Sequence, residues 1–223
     1  MMKKLVFALM LIAAVGMAQE KVTMNVGDFH SLKTYRGLQV EMIKSNESKV
    51  VIEGNRSSEV TVKNSNGILR ISMSISHTFS ADEVMVYLHY NNDVNLIDAN
   101  EGSYIFSDEV IKQDNVTLKA QEAGRIKLEV EAKEVESSAV TGGEVKVKGS
   151  TTELDVKANT GGMFKGELLK SENVEVSAGT GGVADIYASK MLDAKASTGG
   201  VISINGDPKE VKKSESLGGY VRQ

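Results

Sequence analysis

The 223-residue chain has no cysteine, no tryptophan and a single proline, and aromatic residues make up 5% of it. Without cysteine there is no disulfide framework and no thiolate for metal or nucleophilic chemistry. With so few aromatics, any core must be built from aliphatic side chains and held by backbone pairing. A basic surplus is missing too: the formal net charge is −4, which gives no electrostatic footprint for nucleic acid. Hydrophobic runs of membrane-spanning length are also absent. The longest is Leu5 to Val15, preceded by Lys3 and Lys4 and followed by Gly16-Met17-Ala18. That pattern reads as a secretory signal, residues 1–18, cleaved after Ala18 and too short to cross a bilayer permanently. The expectation is an exported chain in the periplasm, on the outer-membrane surface or secreted. No transmembrane segment remains after cleavage, and with no cysteine after the run there is no lipid anchor of the lipoprotein type.

Glycine is what the chain has in quantity, 21 of them. Many stand in a repeated triplet: Thr141-Gly142-Gly143, Thr160-Gly161-Gly162, Thr180-Gly181-Gly182 and Thr198-Gly199-Gly200, with Leu217-Gly218-Gly219 closing the series. Glu122-Ala123-Gly124 and Asn100-Glu101-Gly102 read as worn versions. The final glycines lie 22, 19, 19, 20, 18 and 19 residues apart. Eight residues before each stands Val94, Val116, Val135, Leu154, Val174, Leu192 or Val211. A fixed offset at this period predicts a solenoid.

Let that Val or Leu be position 0. Position 2 then holds Leu96, Leu118, Ser137, Val156, Val176 and Ala194, and position 4 holds Asp98, Ala120, Ala139, Ala158, Ala178 and Ala196. Beyond the glycines, position 10 holds Tyr104, Ile126, Val145, Phe164, Ala184, Ile202 and Val221, and position 12 holds Phe106, Leu128, Val147, Gly166, Ile186 and Ile204. Side chains alternate along a strand, so the even positions face a common interior. The glycines at positions 7 and 8 (Gly143, Gly162, Gly182, Gly200 and Gly219 being the second of each pair) are expected to supply the positive φ of a bend. The threonine at position 6 has inward parity, and its hydroxyl is expected to bond along the stack or to turn backbone. In the last coil Lys213 and Glu215 replace apolar residues, which reads as a polar end cap.

Residues 19–92 alternate with period two and show no helical pattern, so they read as short strands that merge into or cap the solenoid of residues 93–223. Asn66-Gly67 predicts a hairpin turn. The strand Leu69, Ile71, Met73 and Ile75 is expected to pair with Val84, Val86 and Leu88.

Gly27-Asp28-Phe29 with Leu32, Val40, Val50-Val51-Ile52-Glu53-Gly54 and Asn66-Gly67-Ile68-Leu69-Arg70-Ile71, followed by the repeated glycine turns, resemble the putative auto-transporter adhesin, head GIN domain family of Gram-negative bacteria. The resemblance covers nearly the whole chain after the signal. This chain uses Thr-Gly-Gly where the family usually has Gly-Ser-Gly or a close variant. The resemblance implies an all-β, right-handed parallel β-helix similar in shape to pectin lyases, with coils of about 19 residues. It also implies a role in adhesion and supplies no catalytic residue and no cofactor.

Function must then lie on the outward, odd positions. Glu136, Asp155, Glu175 and Asp193 fall at position 1 of successive coils. Stacked carboxylates repel, and either a divalent cation or the lysines two residues along, Lys157 and Lys195, would relieve them. Lys127, Lys146 and Lys165 form a basic ladder at position 11, suited to an acidic glycan or lipid head groups, or to solubility alone. Met163, Val183, Val201 and Tyr220 form an outward apolar stripe at position 9, with Tyr187 at position 13. Such a stripe marks a contact surface unless another part of the chain covers it.

The three histidines, His30, His77 and His89, have no metal-ligand spacing, and no Gly-x-Ser-x-Gly elbow is present. The chain therefore reads as a non-catalytic module that contacts protein, glycan or itself. A polysaccharide-active enzyme and a purely structural envelope protein are the alternatives.

Overall fold

The computed structural model describes residues 21–74 and 84–223. The signal segment, Ile75 and His77 lie outside the described residues. Seventeen strands are present among those described: β1 (Lys21–Asn25), β2 (Ser31–Tyr35), β3 (Gln39–Lys44), β4 (Lys49–Glu53), β5 (Val60–Ser65), β6 (Ile68–Met73), β7 (Met85–Tyr90), β8 (Leu96–Ala99) and β9 (Tyr104–Lys112). Then come β10 (Asn115–Ala120), β11 (Arg125–Val140), β12 (Glu144–Asn159), β13 (Met163–Gly179), β14 (Val183–Ser197), β15 (Val201–Asn205), β16 (Glu210–Ser216) and β17 (Tyr220–Arg222). From β8 onward each strand pairs in parallel with the equivalent strand one coil away, the signature of a β-solenoid of about seven turns.

Each coil has two long sides joined by a sharp corner. Strands entering the corner form an upstream face and strands leaving it a downstream face. The long strands β11 to β14 run out along the downstream face, round a gentle far bend and back along the upstream face.

The corner explains the repeat. Thr160 has φ +51° and Gly161 φ +71°, and the Gly162 N–H donates to the Asn159 carbonyl at 2.9 Å. Positive φ at both central residues with that bond is a type I′ turn. The expectation that both glycines carry positive φ is therefore corrected: threonine and the first glycine do, and the threonines face solvent instead of the stack. Gly162 has a separate task. A Cβ there would lie 2.0 Å from the Ala139 carbonyl oxygen of the preceding coil. Only a residue without a side chain lets successive corners nest this closely. The corners are knitted together, because the first glycine's N–H donates to the next coil's threonine carbonyl (Gly142 to Thr160, Gly161 to Thr180, Gly181 to Thr198).

Register confirms most of the inward positions. Val116, Val135, Leu154, Val174, Leu192 and Val211 align in successive coils. So do the buried alanines Ala120, Ala139, Ala158, Ala178 and Ala196. Phe164 is the largest fully buried side chain, and its ring fills the space that a Cβ on Gly166 would need.

The first coil is one residue out of the predicted frame. Glu101 (φ +50°) and Gly102 (φ +72°) are the central corner residues, and Ser103 takes the place of the second glycine. Leu118 therefore aligns with Ile97 and not Leu96, Ala120 with Ala99 and not Asp98, and Ile126 with Ile105 and not Tyr104. A one-residue slip exchanges the two sides of a strand. Tyr104 and Phe106 consequently face out, the reverse of the expectation. Asp98 also has outward parity but is buried laterally, accepting from Lys33 Nζ at 3.0 Å, Asn100 Nδ2 at 3.0 Å and Gln121 Nε2 at 3.1 Å.

The N-terminal strands form a curled, mixed sheet continuous with the coils. β2 and β3, joined by a corner at Arg36-Gly37, lie beside β8 and β9 and complete a coil of their own. β6 and β7 lie on the other side of that coil, and antiparallel β5 and β1–β4 close the end. Asn66 and Gly67 make the expected two-residue hairpin, but it joins β5 to β6. The predicted pairing of Leu69–Met73 with Val84–Leu88 is corrected: β7 pairs with β3 and β4, on the opposite face. Hydrophobic alternation alone does not choose between partners when every strand alternates alike. At the other end, Lys213 and Glu215 stand over Ala194 and Ala196 and are exposed, and the Glu215 carboxylate accepts the edge N–H of Val221 at 2.7 Å. Polar side chains at the end of the stack discourage further pairing.

Candidate functional site: two unlike faces

The outward side chains of the two faces differ in kind. On the upstream face Glu136, Asp155, Glu175 and Asp193 stack in register as expected, with Lys212 continuing the column. The charge of three of them, Asp155, Glu175 and Asp193, is met by lysine. Lys195 Nζ lies 2.9 Å from Glu175 and 3.6 Å from Asp193, Lys212 lies 3.0 Å from Asp193, and Lys157 lies 3.7 Å from Asp155. The hydrogen bond from Lys212 holds the Asp193 carboxyl below its usual range, with burial opposing it and the charges of Lys195 and Lys212 adding to it. The bond to Glu175 raises Lys195 in turn. Among the described residues no group of three or more His, Asp or Glu side chains is gathered to hold a metal ion.

The downstream face is apolar and aromatic along one column. Met163, Val183, Val201 and Tyr220 align strand to strand, with Tyr220 55% exposed and the other three half-buried. No other part of the described chain is laid over them. Tyr187 does not join this stripe. It stands four residues further along its strand, roughly 13 Å away at strand rise, with the Lys170 ammonium 3.8 Å from its ring centre. A shallow recess at the far bend is lined by Tyr187, Lys170, Glu172 and Thr152.

The same column carries an element that sequence reasoning missed. Towards the N-terminal end it continues through Glu144 and Arg125 to Tyr104. The Tyr104 and Phe106 rings stack with centroids 5.1 Å apart and planes 22° from parallel, and the Arg125 guanidinium lies 5.1 Å from the Tyr104 ring centre. Burial pushes the Tyr104 hydroxyl pKa up, with Arg125 pulling it back. The one signal in the sequence was the 22-residue first spacing, which marks a coil whose frame differs from the rest.

Beside the aromatic pair runs the basic ladder. Phe106, Lys127, Lys146 and Lys165 align in successive coils. Lys165 pairs with Glu144 at 3.0 Å, whereas Lys127 and Lys146 have no ion-pair partner among the described residues. A recess of about 130 Å³ opens between them, with Leu128, Val147, Glu167 and the 56% exposed Leu168 in its wall.

The model of the family described as putative auto-transporter adhesin, head GIN domain matches residues 28–208, which takes in the N-terminal sheet from β2 onward and all the threonine-glycine corners. The chain belongs to that family.

Solved structures of like architecture include putative adhesins from Bacteroides fragilis (TM-score 0.83, 16% identity) and Parabacteroides distasonis (0.66, 16%). Each covers 92% of this chain, and this chain covers 96% of each. A putative adhesin from Parabacteroides merdae is similar at TM-score 0.64 and 13% identity, covering 92% of this chain and 95% of its own. At such identities the likeness concerns the fold. No curated protein matches the sequence. The head GIN domain fold thus presents two broad sheet faces, and in this member they are dressed differently.

Proposed function

We propose that this head GIN domain is an exported, non-catalytic adhesion module and that the downstream face is its contact surface. The observation that supports this reading is the contrast between the faces. The outward columns of the upstream face are charged, with Asp155, Glu175 and Asp193 paired to lysines, while the downstream face carries an aligned, partly exposed apolar column and a stacked aromatic pair. Partly exposed apolar side chains aligned over several coils are what a binding surface needs and what a merely soluble surface avoids. The family's adhesin description agrees with such a role, and the N-terminal apolar run agrees with export. The partner is a protein or glycan at the cell surface, or a second copy of the chain.

The test compares retention of the protein, from residue 19 onward, on bacterial and epithelial cell surfaces for wild type and for Met163→Ser/Tyr220→Ser. Each truncation at the centre of a contact costs about 1 kcal/mol or more, so the double variant should lose most of its bound fraction. A control variant on the upstream face, Glu136→Gln/Glu175→Gln, should bind like wild type. If the upstream variant lost binding and the downstream one kept it, the assignment of the contact face would be wrong.

A further inference from the structure

We infer that the N-terminal part of the downstream face is a binding site for an acidic polysaccharide, laid along the solenoid axis across the coils. This rests on the reading of the downstream face as the contact surface and names the ligand class for one end of it.

Three features converge within neighbouring coils. The first is the half-buried stacked pair of Tyr104 and Phe106, with Arg125 over the Tyr104 ring. The axial C–H groups of a pyranose ring pack against aromatic side chains, since the face of an aromatic ring carries partial negative charge and an extended apolar surface. The second is a row of cations without anionic partners. Lys127 and Lys146 follow Phe106 in register at one-coil intervals, and Arg125 lies over Tyr104. Their neighbours are already spoken for: Glu129 pairs with Lys148 at 2.7 Å and Glu144 with Lys165 at 3.0 Å. Asp108 stands at the rim of the recess, so the surplus is positive but not large.

The third is an acceptor waiting for a donor. Glu167 lines the same recess, and its Oε2 is buried with no hydrogen-bond partner. A buried carboxylate oxygen left unpaired is costly, and a ligand hydroxyl would satisfy it.

Together these ask for a ligand with carboxylates to meet ammonium groups, hydroxyls to donate to Glu167, and ring faces to stack. A uronate polymer has all three. Coils repeat every 4.8 Å or so, close to the advance of one sugar unit in an extended chain, so the carboxylates on the protein-facing side of the polymer run in step with the lysine column. A lipid head group offers charge without this repeat, and a neutral glycan offers ring faces without charge.

The experiment is calorimetric titration of the protein with polygalacturonate and with its fully methyl-esterified, neutral form. Circular dichroism checks that every variant is folded. Wild type should bind the acidic polymer about tenfold or more tightly than the ester, with affinity falling as salt rises. Lys127→Gln/Lys146→Gln should weaken acidic binding about tenfold and leave the weak binding of the ester unchanged. Phe106→Ala should weaken both by about 2- to 10-fold. Equal affinity for the two polymers, or an unaltered affinity in the lysine double variant, would overturn the inference. So would binding to phosphatidylglycerol vesicles with none to polygalacturonate, which would make the ligand a lipid surface. If no polymer binds yet cell retention still depends on Met163 and Tyr220, the contact face stands and only the polysaccharide falls.

Discussion

Two glycines one residue apart do different work in each corner. Gly161 sits at φ +71° with nothing within 4 Å of where a Cβ would be, while the Cβ of an alanine at 162 would collide with the backbone of the previous coil. Gly161→Ala should therefore cost about 1 kcal/mol, the left-handed backbone penalty alone. Gly162→Ala should cost about 3 kcal/mol or more, because the obstacle is backbone and cannot swing aside. Urea unfolding of the two variants checks the order, and a reversed order would refute the nested-corner geometry. Titration of Tyr90 belongs to the same scale. Its ring is buried, and burial first, then Glu109 and Asp93, pushes its pKa up to about 12 from 10.0. The folded state thus resists ionisation of this hydroxyl. Its contribution to stability is whole below pH 10 and is lost as pH rises from there through 12. Tyr90→Phe should flatten that alkaline loss, measured as denaturation midpoint against pH.

At the scale of the strand, the interior is narrow because alanine recurs where the two faces converge on the corner. Ala158 is fully buried between Ala139 and Ala178 in the stack. Ala158→Leu should overpack this seam at a cost of about 1–3 kcal/mol, read as a lowered urea midpoint, whereas Lys157→Leu on the outer side should change it little. The regular coils were legible in the sequence because a fixed offset between Val135 or Leu154 and the following glycines sets both period and parity. The first coil was not. There the Glu101-Gly102-Ser103 corner has its glycine one place earlier, and the buried Ser103 hydroxyl bonds Thr34 Oγ1 at 2.7 Å in the neighbouring N-terminal coil. Nothing in residues 93–110 alone announces that contact. The same applies to β7: Val86 and Leu88 alternate whether they pair with β6 or with β3. Partner choice is decided by the coil stack as a whole. Hence the apolar stripe from Met163 to Tyr220 was visible in advance, while the aromatic pair, whose sidedness hangs on the frame of one coil, was assigned to the core.

For the whole molecule, the solenoid converts a 19-residue repeat into two long, unlike faces, one whose outward columns are charged and partly paired with lysine and one with partly exposed rings, aliphatic side chains and the lysines Lys127 and Lys146. Surface ion pairs such as Lys212–Asp193 add little stability, about 0–1 kcal/mol each, so their effect is to offset part of the carboxylate charge on the upstream face. The polysaccharide site depends on Tyr104 and Phe106 pointing outward, in line with Arg125 and Lys127. Since the native chain has no cysteine, this register can be read by disulfide trapping. Under air oxidation, Phe106→Cys/Lys127→Cys should close readily, as outward neighbours on adjacent parallel strands lie within the span a disulfide tolerates. Phe106→Cys/Leu128→Cys, which the unslipped frame read from the repeat would bring together inside the core, should stay reduced. Closure of the second pair and not the first would contradict the account.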